Sequence, residues 1–240
     1  MKKFLRVAAA FLLIPATPAL VQTTPAQAQM PVPAAARQDD TLSEQIGALQ
    51  DEWARIKYQV PEEETQLQAI KALEGKAAQL SSSYPDRAEP KIWEAIILST
   101  DAGIAKGMSA LPKVEKAKGL LEQAEKIDSR ALDGSAHTSL GSLYYQVPGW
   151  PVGFGDDELA EKHLQMALQI NPHGIDPNFF YGDFLLQDRR YEEAKAYLEK
   201  ALLAPDRPGR ALADAGRRQE IKAALAKIAE KKKTEGKSFN

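Results

Sequence analysis

The sequence has 240 residues and no cysteine, and its 31 Lys and Arg stand against 33 Asp and Glu, a formal net charge of −2. Without cysteine the chain has no disulfide, no thiolate nucleophile and no site for a lipid on cysteine. The slightly acidic balance argues against a nucleic-acid-binding protein, which usually carries a basic patch, and against a polybasic membrane anchor.

The start of the chain has the order of a secretory signal peptide. Lys2, Lys3 and Arg6 precede an apolar run over 7–14, and residues 26–28, Ala-Gln-Ala, are typical of a cleavage site. The run is far shorter than the roughly 20 apolar residues that span a bilayer. We therefore expect cleavage after this triplet and a soluble periplasmic product. The alternative is an unstructured start of a cytosolic protein.

After the signal peptide and a short leader, the sequence pattern is typical of helices. Residues 29–40, rich in Pro, Ala and Gln, predict a flexible leader. From Thr41 onward apolar residues recur at helical spacing, without the alternation of strands. Thr41 and Glu44 form a potential capping box, which predicts that the first helix begins there. Two helices within 41–82 should form an N-terminal cap, and seven more are predicted over 91–106, 113–127, 135–146, 156–170, 175–187, 191–203 and 210–230.

Two of the later helices share one pattern of small and large apolar residues. The pattern is A-x3-L-x2-A followed by Pro, and its two copies begin 34 residues apart. An earlier helix has the same first three positions. Small residues let two helices approach closely while leucine fills the space between them. The copies are Ala117, Leu121, Ala124; Ala160, Leu164, Ala167, Pro172; and Ala194, Leu198, Ala201, Pro205.

This period resembles the tetratricopeptide repeat (TPR), a helix-turn-helix unit. Gly182, twelve residues before Ala194, matches the small residue of the first TPR helix, and Gly141 matches the same position one repeat earlier. Gly141 lies nineteen residues before Ala160, so seven residues are inserted between those helices, within 146–155. The resemblance implies an all-α, right-handed α-solenoid of TPR-like hairpins with an enlarged intra-repeat loop.

The TPR resemblance also implies a binding surface. In that family, fixed positions of each first helix line a concave inner face, which suits a peptide or small solute. The inserted loop adds aromatic residues at one rim. The alternative is that these aromatics belong to the core and that the tryptophan fixes its own loop. The candidate partner- or ligand-binding residues are Thr138, Ser142, Tyr145, Trp150, Phe154, Asp176, Phe179, Asp183 and Leu186.

The sequence does not predict an enzyme. His137, His163 and His173 have no metal-ligand spacing on one helix, and a zinc site would have to be assembled across helices with Asp or Glu. We expect solvated histidines, no metal and no cofactor. The acidic run 156–158 lacks the spacing of a calcium loop and suits helix capping. Neither a nucleophile elbow nor a phosphate loop occurs.

A narrower resemblance covers about residues 90–230, on LGSLYYQVPGWPVGFGD and GIDPNFFYGDFLL. These segments are similar to the T component (TatT-like) of TRAP-type solute transporters, which implies a helical protein that works beside a periplasmic solute-binding protein. Members of that group are often lipid-anchored, whereas this chain has no cysteine. Two binding functions stay open: a scaffold for a protein or peptide partner, or a component that binds or relays a small solute. A hydrolase with its site at the insertion is the third hypothesis.

The lysine run 231–233 predicts that the last helix ends in solvent. Arg217 and Arg218 are expected on the polar side of the last helix, which would cap the solenoid. The predicted organisation is a signal peptide (1–28), a flexible leader (29–40), a TPR-like helical domain (41–230) and a disordered tail (231–240).

Overall fold

The computed structural model describes residues 34–237, with side chains described for 38–233. The predicted signal peptide lies outside these residues. The described part contains nine α-helices, a short 3₁₀ turn (Gly107–Ala110) and no strand. The helices are α1 (Ala34–Gln59), α2 (Glu63–Ser83), α3 (Ala88–Ala105), α4 (Leu111–Ile127), α5 (Ala131–Gln146), α6 (Asp157–Ile170), α7 (Ile175–Gln187), α8 (Tyr191–Leu202) and α9 (Ala211–Lys237).

The helices stack as antiparallel pairs, α3 with α4, α5 with α6, and α7 with α8. All nine Ala and Leu positions of the predicted repeat pattern are fully buried at these pair interfaces. Gly141 shows why the pattern needs a small partner, because a Cβ atom there would lie 2.6 Å from Cγ of Leu164. The predicted fold, a right-handed α-solenoid of TPR-like hairpins with an enlarged loop between α5 and α6, is confirmed.

The two ends of the solenoid meet. Helix α9 packs against α7 and α8 and also reaches α1. Gly216 of α9 lies so close to the Tyr58 ring that a Cβ atom would approach the ring to 2.4 Å. Helix α1, the first of the two helices predicted as an N-terminal cap, therefore also holds the last helix and narrows the concave side. Within the described residues, no helix is both long and apolar enough to cross a membrane.

Both ends of the helical domain extend further than predicted. Helix α1 begins at Ala34, so residues 34–40 of the predicted leader are helical and Thr41 lies inside the helix instead of capping it. Helix α9 continues to Lys237, so most of the predicted tail 231–240 is helical too. Residues 34–40 include three Ala and one Arg, and residues 231–237 include four Lys and one Glu. All of these are strong helix formers.

Helix α5 has an irregular first turn. Leu132, Asp133 and Gly134 have φ values of 48°, 57° and 79°, and regular helix follows from Ser135, as predicted. Gly134 lies against Ile170 of α6, where a Cβ atom would have a side-chain neighbour at 3.0 Å. Leu132 and Asp133 of this left-handed turn lie on the concave side.

Candidate functional site

The concave side of the solenoid holds a large cavity. Its volume is about 1150 Å³, and its wall comes from α1, α3, α5, α7 and α9, with the 3₁₀ turn and the inserted loop at one edge. One side is aromatic, where Trp53 packs edge-on to Trp93 with ring centroids 5.8 Å apart. Phe179 and Phe180 of α7 form another part of the wall.

Asp176 organises the charged side of the cavity. Its carboxylate accepts a 2.6 Å bond from Arg207 and a 2.8 Å bond from Arg217. Arg207 continues to the buried Asp214, and Arg217 to Glu220. Burial alone would raise the pKa of Asp176, but the charges of Arg217 and Arg207 outweigh it and hold that pKa well below its usual range. Asp176 is therefore ionised and fixes both guanidinium groups.

Helix α1 adds a lysine to this network. Lys57 Nζ lies 3.0 Å from Glu220 and 5.3 Å from the centroid of the Trp53 ring. Burial, reinforced by the charge of Arg217, lowers the pKa of Lys57. The neighbouring Tyr58 donates a long 3.4 Å hydrogen bond to Glu220, and burial raises its pKa. Glu220 thus joins α9 to α1, where the two ends of the solenoid meet.

Arg210 differs from the other cations of the cavity. No acidic side chain pairs with it among the described residues, and its buried Nε has no hydrogen-bond partner. Its guanidinium carbon lies 5.2 Å from the centroid of the Trp93 ring. The indole Nε1 of Trp93 is likewise buried without an acceptor. Burial and the nearby Arg207 lower the pKa of Arg210. Two donor groups therefore lie side by side in the wall without an acceptor.

The inserted loop is ordered and forms part of the rim. Backbone bonds close it, from Gly155 N to Pro148 O at 3.0 Å, and Phe154 packs edge-on to Tyr144 with ring centroids 5.8 Å apart. Asp156 caps α6 as predicted, because its side chain accepts a bond from the Leu159 amide. Trp150, at the loop tip, is 89% exposed. The loop is therefore held by Phe154, whereas Trp150 faces solvent.

The structure places five of the nine predicted binding residues in the cavity wall: Thr138, Ser142, Asp176, Phe179 and Asp183. Tyr145 lies behind the wall and donates a 2.8 Å hydrogen bond to Asp183. Leu186 is buried in the core, Phe154 packs within its loop, and Trp150 lies outside the cavity. Ligand binding by these residues stays a prediction.

Sequence reasoning missed the part of the wall that α1, α3 and α9 supply. Arg217 was expected on the polar side of the last helix as part of a cap, and this is wrong, since its side chain faces inward and the residue is only 6% exposed. Its guanidinium carbon lies 4.4 Å from the centroid of the Phe179 ring. The only available signal was an arginine among small residues in α9, where Ala213 and Gly216 bring α9 close to α1.

The expectation of solvated histidines is wrong for two of the three. His137 is only 1% exposed, and His163 is half-buried. Their Nδ1 atoms lie 3.2 Å apart, and the His163 ring stacks on Tyr144. Only His173 is exposed. Helix packing brings together two side chains that lie 26 residues apart in the chain.

Comparisons with known proteins support the fold. No family model and no curated protein matches the chain. A solved structure of a thermophilic TPR protein from Thermus thermophilus is similar, with a TM-score of 0.52 and 18% sequence identity over 80% of this chain and 96% of that chain. At this identity the likeness shows the fold alone. The chain therefore has a TPR-like fold, with a cavity built by its own residues.

Proposed function

We propose that the protein is a non-catalytic binding protein, whose cavity takes a largely apolar peptide segment with one acidic group from a partner protein. The observation that carries this proposal is the pair of donors without an acceptor, Arg210 and Trp93, in a wall that is aromatic on one side and charged on the other. Buried donors of this kind gain an acceptor when a carboxylate enters, and a guanidinium can bind it in a bidentate manner.

The charges around Arg210 support an acidic ligand. Asp176, Asp214 and Glu220 already neutralise three basic groups through short ion pairs, those of Arg207, Arg217 and Lys57. Arg210 adds a positive charge that none of these carboxylates contacts. A neutral or cationic ligand would leave its buried Nε without an acceptor, which is costly.

The size of the cavity supports a peptide segment. Its volume of about 1150 Å³ exceeds the roughly 300–1,000 Å³ of most pockets for small molecules. Met108 is 88% exposed beside the cavity, and Val152 of the inserted loop is 59% exposed. We assign this apolar rim, together with Trp150, to contacts with the parts of the partner that flank the bound segment.

The signal peptide pattern of residues 1–28 supports a place of action in the periplasm. This location is part of the proposal.

The second candidate is a small amphiphilic solute, as the resemblance to the T component of TRAP-type transporters implies. The meeting of α1 with α9 favours it, because Tyr58 and Gly216 narrow the concave side that an open solenoid would leave accessible. In this case the carboxylate or phosphate of the solute would occupy the Arg210 position.

The test is selection from a random peptide library displayed with free C-termini. We expect the wild type to enrich peptides that combine apolar residues with an acidic group or a C-terminal carboxylate. Arg210→Met should lose this enrichment, whereas Arg55→Met, at an exposed position of α1, should keep it. Enrichment that survives Arg210→Met would contradict the assigned subsite. No enrichment, with a small molecule retained in native mass spectrometry, would favour the solute.

A further inference from the structure

Three side chains that can bind metal meet outside the cavity. Glu125 lies near the end of α4, His137 on α5 and His163 on α6. The two histidine Nδ1 atoms are 3.2 Å apart, and His137 Nδ1 is 3.6 Å from a Glu125 carboxylate oxygen. One ligand atom from each residue lies within 4.8 Å of the other two. Three consecutive helices thus direct two nitrogens and an oxygen at one point.

Hydrogen bonds among the three side chains cannot give each of the three atoms a partner. Two neutral imidazoles can place one hydrogen between their Nδ1 atoms, and an ionised carboxylate only accepts. If His137 donates to His163, its Nδ1–H is unavailable to Glu125. If His163 donates, the lone pair of His137 lies near the carboxylate oxygen. A cation among the three atoms would interact with all of them at once.

We propose that Glu125, His137 and His163 bind a divalent transition-metal ion of the zinc type. Zinc binds histidine nitrogen at about 2.0–2.1 Å, so two ligands at a tetrahedral angle lie about 3.4 Å apart. The observed 3.2 Å and 3.6 Å lie on either side of this value. Imidazole nitrogen with one carboxylate oxygen is a ligand set that suits zinc, copper and nickel better than magnesium or calcium.

The surroundings of the three residues fit a metal site. His137 is 1% exposed in the core between the helices, and the His163 ring is held by stacking on Tyr144 at a centroid distance of 5.7 Å. The Glu125 side chain is 29% exposed and leaves a path from solvent. Two ligands are therefore fixed by packing, while the third can turn to complete the site.

The bound ion would join α4, α5 and α6, on which two successive TPR-like pairs depend. Two histidines and one glutamate leave the fourth tetrahedral position for water. None of the three residues lines the concave cavity. The proposal is therefore independent of the proposed function.

The test uses protein purified without a polyhistidine tag, stripped with a chelator and titrated with Co²⁺, which absorbs visible light strongly in tetrahedral sites. We expect saturable binding of one ion per chain, which one equivalent of Zn²⁺ displaces. His163→Gln and Glu125→Ala should each weaken the affinity. The loss for the histidine should be about 100-fold or more, because a lost ligand costs at least as much as a lost outer-shell partner. His173→Gln, at the exposed histidine, is the matched control and should bind as the wild type does.

Circular dichroism of each variant separates loss of the site from loss of the fold. Wild-type protein that shows no saturable Co²⁺ spectrum would overturn the proposal, and so would a folded His163→Gln variant with unchanged affinity. If His163→Gln does not fold, Glu125→Ala decides, because its partly exposed side chain is not needed for the core. Unchanged binding by Glu125→Ala would then overturn the proposed ligand set.

Discussion

Gly182 and Leu198 are in van der Waals contact across the α7–α8 pair, and a Cβ atom on Gly182 would lie 2.8 Å from Cγ of Leu198. The carbonyl oxygen of Ala194 would be 3.3 Å away on the other side. Neither neighbour has space to withdraw, since Leu198 and Ala194 are fully buried. This contact defines how closely the two helices of a repeat approach.

Gly182→Leu should therefore destabilise the protein by about 3 kcal/mol or more, because the side chain overpacks the pair interface. Gly75→Leu is the matched control, since nothing lies within 4 Å of a Cβ atom at that helical glycine. It should leave the free energy of unfolding unchanged or raise it, because leucine is the better helix former. Urea denaturation of both variants checks this, and equal stabilities would disprove the helix register.

The same substitution should have a large effect on stability at Arg217 and a small effect at Arg210. Arg217→Met removes one ion-pair partner from Asp176 and one from Glu220. Asp176 keeps Arg207 and Glu220 keeps Lys57, but the loss of the most buried cation of the network should still cost about 3 kcal/mol. Arg210→Met removes a half-buried cation that has no ion pair among the described residues, and should change stability by less than about 1 kcal/mol. Thermal unfolding compares the two. A large loss of stability in Arg210→Met would mean that Arg210 stabilises the fold, which would contradict its role as a ligand-binding residue.

The inserted loop carries two aromatic residues with different expected roles, Phe154 in stability and Trp150 in binding. Phe154→Ala should destabilise the protein by about 2 kcal/mol, because the ring is half-buried against Tyr144. Trp150→Ala should stay within about 0.5 kcal/mol of the wild type, as exposed positions usually do, while it weakens binding of the partner. Helical content and unfolding midpoints measure the first effect. A strong loss of stability in Trp150→Ala would show that this tryptophan fixes its loop.

Glu74 makes the stability of the fold depend on pH. It shares Lys113 with the fully buried Asp101, and burial together with a hydrogen bond to Asp101 raises the pKa of Glu74 to about 7. This pKa lies above the value of about 4.3 in an unfolded chain. The stability from this group is therefore complete below about pH 4 and is lost as the pH rises through about 7.

Wild-type protein should thus lose about 2–3 kcal/mol from this group between pH 5 and pH 8. Glu74→Gln should show a flatter profile and exceed the wild type at pH 8. Glu64→Gln, at an exposed position on the same helix, serves as the control and should follow the wild-type profile. Denaturant unfolding at several pH values measures all three. Parallel profiles for Glu74→Gln and the wild type would contradict the raised pKa.

The repeat was predictable from sequence because it is a local, periodic property. Leu164 and Leu198 recur 34 residues apart with small residues at fixed distances, and the spacing alone places Gly141 and Gly182 opposite them. The extra seven residues likewise placed the enlarged loop. These features depend on contacts between neighbouring helices, which the order of the chain determines.

The site was less predictable because it joins distant parts of the chain. Arg217 meets Asp176 over 41 residues, and Arg210 meets Trp93 from the opposite end of the solenoid. Their meeting depends on the curvature that brings α9 to α1, which no local pattern records. The contact of His137 with His163 was missed for a related reason, since its helices are separated by the insertion.

The central claim is that a ligand enters the concave cavity and meets Arg210. The most direct test places a photo-crosslinker at Ser139, which lines the cavity, in the full-length protein expressed in cells. Ala196, at an exposed position on α8, carries the same crosslinker as control. We expect one defined adduct from Ser139 that Arg210→Met abolishes, and none from Ala196. The same adducts from both positions, or an adduct from Ser139 that persists in Arg210→Met, would contradict the claim.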